Sequence, residues 1–483
     1  MSISRKEAII ILIVVLSLSA ITFATKFYGG ADILDYADSA KFFSGTYAAK
    51  LRSSHSLVYG LLHAPIVGLT ESLIPFKVTS LILLSLLTYS VYLASNRNKK
   101  ALFLMIFSPI VWYMAPWISP IQAATLLFFW GYIRMKEFLK TKSVKQIVYA
   151  GILIGSSWAL WDGVLFFIPL LAISFLYNKK LIYLFYLIGA IIIGVLPRLI
   201  IDQYLLGFTF LGIMRHILAS LNIAIYGGIY GQGSLVGISK FIITILFIPF
   251  YTYLLFAKKA FKENKETVIF LILSTILIVF NSQIRFTLII FPIIILTLSK
   301  YLTSKKLIIQ LAIFLILSII VINPYILQIK YQTNFEEFSS IPLIYNNLQF
   351  KEEFSSDLIK QDILEISKEY PNETFIAGNN YESYRFFANS YWGDEINEIV
   401  SIEDYQLNDS SNKKVFEKEY CSHVKISERR DFCTVIYIRK AFNDATNYSS
   451  IKYAITGAEE IGLSDFKFVK KYRILSLFEK TDN

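Results

Sequence analysis

Residues 8–25 read AIIILIVVLSLSAITFAT, without one charged side chain, and Arg5 and Lys6 stand just before them. As a helix rising 1.5 Å per residue, such a run approaches the roughly 30 Å apolar thickness of a bilayer. A secretory leader would lead through a small-residue cleavage site into a soluble domain. Here further apolar runs follow instead, so a retained membrane helix is expected. They occupy approximately 75–95, 101–115, 119–135, 144–161, 163–178, 181–201, 236–257, 267–284, 286–300 and 306–325. Hydrophobic residues make up 55% of the 483 and charged residues only 17%, against roughly a quarter charged in soluble domains. The sequence therefore predicts a multi-spanning α-helical membrane protein with about eleven transmembrane helices, followed by a tail of ordinary composition.

The net charge of +11 would suit a nucleic-acid partner if the cations formed one surface, but their placement argues against it. They fall in short clusters between apolar runs: Arg97, Lys99 and Lys100; Arg134, Lys136, Lys140, Lys142 and Lys145; Lys179 and Lys180; Lys258, Lys259, Lys262 and Lys265; Lys300, Lys305 and Lys306. Every second loop is basic, the mark of cytoplasmic loops. Lys77 and Lys240 fall on the other side and are outweighed. The expected arrangement is a multi-pass plasma-membrane protein with a cytoplasmic N-terminus and an extracytoplasmic C-terminal domain. Asn-X-Ser/Thr sequons at Asn372, Asn408 and Asn447 agree with that side.

Two domains are expected: a membrane domain at 1–327, with long outer loops at 26–74 and 202–235, and a soluble α/β domain at 328–483. In the latter, 351–369 reads as an amphipathic helix. Residues 374–378, 434–439, 466–469 and 474–478 read as strands, the last two joined at Lys470–Arg473. Cys421 and Cys433 fit either a disulfide or two thiols. No catalytic constellation is evident in this tail.

The unusual residues gather on the outer side. Residues 56–70 are apolar but too short to span, and suit the interface; residues 208–225 carry Arg215 and His216 within an apolar run. Loops lying along a membrane surface can enclose a cavity open to lipid and to water. In the first loop Asp32, Asp35 and Asp38 recur every third residue, close to one face of a helix. Asp32 reads either as a helix cap beside two solvated carboxylates, or as a proton acceptor or cation ligand. His55 and His63 fit a polar interface or a substrate contact. Trp112, Tyr113 and Trp117 fit an aromatic belt or sugar stacking. Arg285 fits snorkelling to the interface or phosphate binding.

The pattern Asp32-X-X-X-Tyr36-X-Asp38-X-Ala40, then Gly45 and His55-Ser-Leu-Val-Tyr59, resembles the first outer loop of the GT-C superfamily. It looks most like the branch of protein O-mannosyltransferases and aminoarabinose transferases. Residues 151–171 with Pro169, and Asn281 through Arg285-Phe286 to Pro292, are similar to later elements of that family, and the resemblance covers about 1–325 in topology and the tail in kind. It implies a mannosyltransferase-like enzyme moving a sugar from a polyprenyl-phosphate donor to a glycan, lipid or protein acceptor. Asp32 would be the catalytic base, with Asp35 and Asp38 beside it. Tyr36, His55, Arg198, Arg215 and Arg285 would contact substrate. No metal site or required cofactor is implied, while a divalent cation stays open.

The chain also departs from the pattern. Asp162-Gly163 stands where relatives have Lys-Gly, so a cation near the lipid phosphate must come from Arg198, Arg215 or Arg285. Ser119-Pro120-Ile121-Gln122 offers no second acidic residue, and Tyr391-Trp392-Gly393-Asp394 only loosely echoes the oligosaccharyltransferase element. The alternative is a transporter or flippase of a lipid-linked or small polar substrate. Against it, the sequence has no clear internal repeat and its charges sit at span ends.

Overall fold

A capping box starts the first crossing. Ser4 Oγ accepts the Glu7 N–H at 3.3 Å, and the Glu7 carboxylate accepts the Ser4 N–H at 2.7 Å, satisfying two donors that a helix start leaves unpaired. The computed structural model describes residues 3–25, 33–45, 55–70, 74–178, 181–206, 258–259, 261–281, 284–331, 357–378, 399–402, 405, 448–457 and 461–481. The expected span at 236–257, the strand at 434–439, Asp32, Arg215, His216, the 391–394 element, both cysteines and the Asn408 and Asn447 sequons lie outside the described residues.

The helices are α1 (Arg5–Ala24), α2 (Ile33–Ser44), α3 (Val58–Thr70), α4 (Ile74–Ala94), α5 (Lys99–Ile106), α6 (Pro109–Met114), α7 (Ile121–Thr141) and α8 (Val144–Leu160). After 3-10 turns at Asp162–Phe166 and Pro169–Leu171 come α9 (Ala172–Tyr177), α10 (Ile182–Leu206), α11 (Lys265–Asn281), a 3-10 turn at Ile284–Phe286, α12 (Thr287–Leu298) and α13 (Ser304–Tyr331). Among the described residues four helices are long and apolar enough to cross a bilayer alone: α1, α4, α10 and α13. Their outward faces are apolar too, with Phe185 72% and Ile308 67% exposed. Water would penalise such faces, and lipid does not. The protein is a multi-pass membrane protein.

Two expected spans are broken. Residues 101–115 form two helices, because Pro109 cannot continue α5, and Ser108 caps the next turn by accepting the Val111 N–H at 3.4 Å. Residues 163–178 begin as 3-10 turns and become α-helical only at Ala172. Residues 58–70 of the segment expected at the interface form helix α3, and of the three aspartates expected on one helix α2 carries Asp35 and Asp38.

Small residues bring the helices together. A Cβ on Gly155 would lie 2.2 Å from the Ile191 carbonyl oxygen, and one on Gly194 2.3 Å from that of Ile152. Gly151 meets Ala190 likewise. Thus α8 and α10 cross backbone to backbone, as membrane helices with small residues four apart do.

In the tail, α14 (Asp357–Glu369) precedes strands β1 (Phe375–Ala377), β2 (Ile399–Ser401), β3 (Tyr453–Thr456), β4 (Phe466–Lys471) and β5 (Ser476–Lys480). The sheet order is β2-β1-β3-β5-β4, with β1 parallel to both neighbours and the β4–β5 hairpin antiparallel. The hairpin expected at 466–478 therefore forms. Buried Asp362 on α14 receives its turn, accepting the N–H groups of Ile474 at 2.7 Å and Leu475 at 2.9 Å. Asp362→Ala would leave buried N–H groups unpaired and lower the stability of the sheet domain by about 1–3 kcal/mol. Faster hydrogen exchange at 473–476 and a lower melting midpoint are the expected readouts; an unchanged pair of values would show the contact to be dispensable.

Candidate functional site

The two ends of the helix bundle differ in chemistry. At one end Lys99 pairs with Glu7 at 2.7 Å, Lys100 donates to the Leu302 carbonyl at 2.5 Å, and Lys136 pairs with Glu266. Helices α1, α8, α10, α11 and α13 start there, and α4, α7 and α12 finish there. The opposite end collects α2, α3, the turn at Trp161, the end of α10 and the Ile284–Phe286 turn.

At that end α2 is seated on α3 by close packing. A Cβ on Gly60 would fall 1.8 Å from Ser39 Oγ, and one on Gly68 2.7 Å from Ser44 Cβ, so glycine lets the aspartate-bearing helix approach. Tyr36, buried at 3% exposure, packs between His55 (5.7 Å between ring centroids) and Tyr59 (5.4 Å, edge to face). Tyr59 in turn contacts His63 and Phe76, and His63 stacks on Phe76 at 4.2 Å. The His63 Nδ1 lies 2.8 Å from the Tyr59 carbonyl oxygen, a bond within one helix.

The first loop then joins α8. Ser56 Oγ donates to the Ala159 carbonyl at 2.5 Å. Just beyond, Trp161 leaves the helix in extended conformation and Gly163 lies under its indole, where a Cβ would meet the ring at 2.3 Å. Asp162 faces Arg198 of α10: the guanidinium grips both carboxylate oxygens, the Nη2–Oδ2 bond being 2.9 Å. Arg198 Nε also donates to Asp202 at 3.3 Å, one helical turn on. All three side chains are buried, Arg198 at 0% exposure and each aspartate at 2%.

On its other side Trp161 meets Phe286 edge to face at 4.7 Å. The neighbouring Arg285 sits over the Trp117 ring at 5.8 Å, half-buried. The 114–119 segment beneath is fixed by Ser80 and Gln122 donating to the Trp117 carbonyl and by Tyr325 donating to that of Tyr113. Tyr113 and Trp117 are both buried, so neither ring offers a face to lipid or to a sugar; Trp112 stays half-buried.

The structure thus brings Tyr36, His55, Arg198 and Arg285 to one end of the bundle. Asp35 and Asp38 lie on α2, their side chains outside the described residues, while Asp32 directly precedes that helix. No group of three or more His, Cys, Asp or Glu side chains suited to a metal ion occurs among the described residues.

Sequence reasoning passed over two residues here. Asp202 was legible as an acidic residue four after Arg198. Lys77, set aside as a stray charge, is buried, and its Nζ donates to the carbonyls of Thr22 and Thr25, each at 2.7 Å. A cation there satisfies the unpaired carbonyls ending α1 and offsets the helix dipole, just where the Asp32 segment departs.

No protein-family model and no curated protein matches the sequence. Among solved structures, the crystal structure of ArnT from Cupriavidus metallidurans bound to undecaprenyl phosphate superimposes with a TM-score of 0.60, covering 99% of this chain and 98% of that one at 10% identity. The chain therefore shares the fold of that structure over nearly its whole length. Helices and sheet alike fall within the match, so the structural likeness takes in both the bundle and the tail. The clamp from Asp162 to Arg198 stands at the Asp162-Gly163 pair, the departure from the Lys-Gly that the sequence resemblance leads one to expect.

Proposed function

We propose that the chain is a glycosyltransferase that moves a sugar from a polyprenyl-phosphate donor to a glycan, lipid or protein acceptor at the extracytoplasmic face. One observation carries the reading: the aspartate-bearing helix and Arg285 converge at the end of the bundle opposite the basic loops, in a fold shared over nearly the whole chain with ArnT. That protein's structure holds undecaprenyl phosphate, which supports a polyprenyl-phosphate partner here. The basic loops support a cytoplasmic assignment for the other end.

In the proposed reaction Asp32 accepts the proton of the acceptor hydroxyl as its oxygen bonds to the anomeric carbon. The bond from that carbon to the phosphate oxygen breaks, its electron pair leaves with the polyprenyl phosphate, and the configuration inverts. Asp35 and Asp38 orient the acceptor or hold a divalent cation. Arg285 neutralises and hydrogen-bonds the departing phosphate, and Tyr36 and His55 line the acceptor side.

The test is transfer or slow donor hydrolysis by the purified full-length protein, given a panel of polyprenyl-phosphate sugars with products identified by mass spectrometry. Turnover of at least one donor supports the proposal; lipid-linked substrate crossing vesicles without any bond cleavage would favour a flippase instead. Arg285→Gln should raise the donor KM about tenfold, the worth of a charged hydrogen bond, with Arg285→Lys in between. An unchanged KM in both variants would remove Arg285 from the phosphate site.

A further inference from the structure

We propose that Arg198 is a positioning residue, which locks the Trp158–Gly163 turn between the first loop and the Arg285 turn and so sets the distance between the two halves of the site. The kinetic part of this inference rests on the glycosyltransferase reading; the geometric part does not.

The guanidinium has five N–H donors. Nη1 donates to Asp162 and, at 3.4 Å, to the Trp158 carbonyl; Nη2 donates to Asp162 and Nε to Asp202. Those contacts occupy all but one donor, and the side chain is only 1% exposed. A lipid phosphate approaching it would have to displace two carboxylates from a site that solvent does not reach. The arrangement suits a group that holds protein and leaves substrate to others.

What it holds is the turn's position. Asp162 and the Trp158 carbonyl lie on either side of Ala159 and Trp161, so the clamp fixes the backbone at both ends of that short segment. Ala159 receives Ser56 from the first loop, and Trp161 abuts Phe286, the neighbour of Arg285. Arg198 and Asp202 project from α10, which the glycine crossing presses against α8. A chain of packed and hydrogen-bonded groups therefore runs from Ser56, just before α3, through the clamp to Phe286 beside Arg285, which is the physical requirement for coupling.

Hydrogen exchange of the full-length protein in nanodiscs tests the coupling without any substrate. In Arg198→Gln, amides at 55–60 and 284–288 should exchange about fivefold faster or more, while α4 and α7 keep their protection. Acceleration confined to 158–163 and 198–202, or spread evenly over all helices, would overturn the proposal. Asp202→Asn keeps the Asp162 pair and should produce the same pattern at smaller amplitude; it serves if Arg198→Gln does not fold, and no change at 55–60 or 284–288 in it would then overturn the proposal. Once a donor is in hand, Arg198→Gln should lower kcat by about tenfold to a hundredfold with the donor KM within about twofold. A donor KM raised tenfold with kcat kept would make Arg198 a phosphate ligand and sink the positioning role. If the wild type turns over no donor, the enzyme reading fails and the exchange result still decides the clamp.

Discussion

Asp32→Asn is expected to lower sugar transfer by about a hundredfold or more while leaving donor binding nearly unchanged. A general base contributes typically about 10²–10⁴-fold, and asparagine keeps the shape and hydrogen-bonding reach of aspartate while losing its ability to take a proton. The residue stands immediately before α2, whose seat on α3 through Gly60 and Gly68 fixes where the segment ends. Its other end leaves α1 at Thr25, which Lys77 holds. Single-turnover transfer by wild type and variant, with donor affinity measured separately, gives the ratio. Equal rates would discard Asp32 as the base and turn the search to Asp35, Asp38 and Asp162.

Gly155→Leu should disrupt the bundle more than any surface change. A leucine must displace the Ile191 carbonyl and the Gly194 backbone, which lie 2.2 Å and 2.9 Å from the position of a Cβ. Neither is the mobile end of a side chain, so the helices have to separate. Overpacking costs about 1–3 kcal/mol in ordinary cores and occasionally more, and here it also undoes the contact that aligns Asp162 with Arg198. Gly189→Leu is the matched control, because a Cβ there meets nothing within 4 Å. Thermal unfolding in detergent should show a large loss of stability for the first variant and little for the second. Similar melting for both would mean that the close crossing is not under steric constraint.

The membrane class and the chemical difference between the two ends of the bundle were legible because their signals are additive. Apolar content sums along a run, and loop charges alternate whatever the packing. The breaks within runs were less legible. At Phe107-Ser108-Pro109 the capping serine and proline are present in the sequence, yet the flanking apolar residues make 101–115 look like one span. Partnerships were harder still: nothing local ties Asp162 to Arg198, 36 positions away, or Lys77 to Thr22, 55 positions away. Such pairs depend on which helices touch, and at α8–α10 that was decided by glycines whose absent side chains leave little trace in a hydropathy pattern. The β4–β5 hairpin was foreseen because alternation and a polar turn are local properties.

The Asp162–Arg198 pair also bears on how the chain enters the membrane. A lone arginine in a span raises the free energy of insertion by about 2.5–3.5 kcal/mol at the centre and by less near an end. Synthesis runs from the N-terminus, so α8 and its aspartate emerge before α10 brings the guanidinium. The counter-charge is waiting when Arg198 arrives, with Asp202 following one turn later on the same helix. Entry of α8, the 162–177 segment and α10 as one three-segment unit lets opposite charges meet as they leave water, so that the sequence order itself lowers the barrier to membrane assembly.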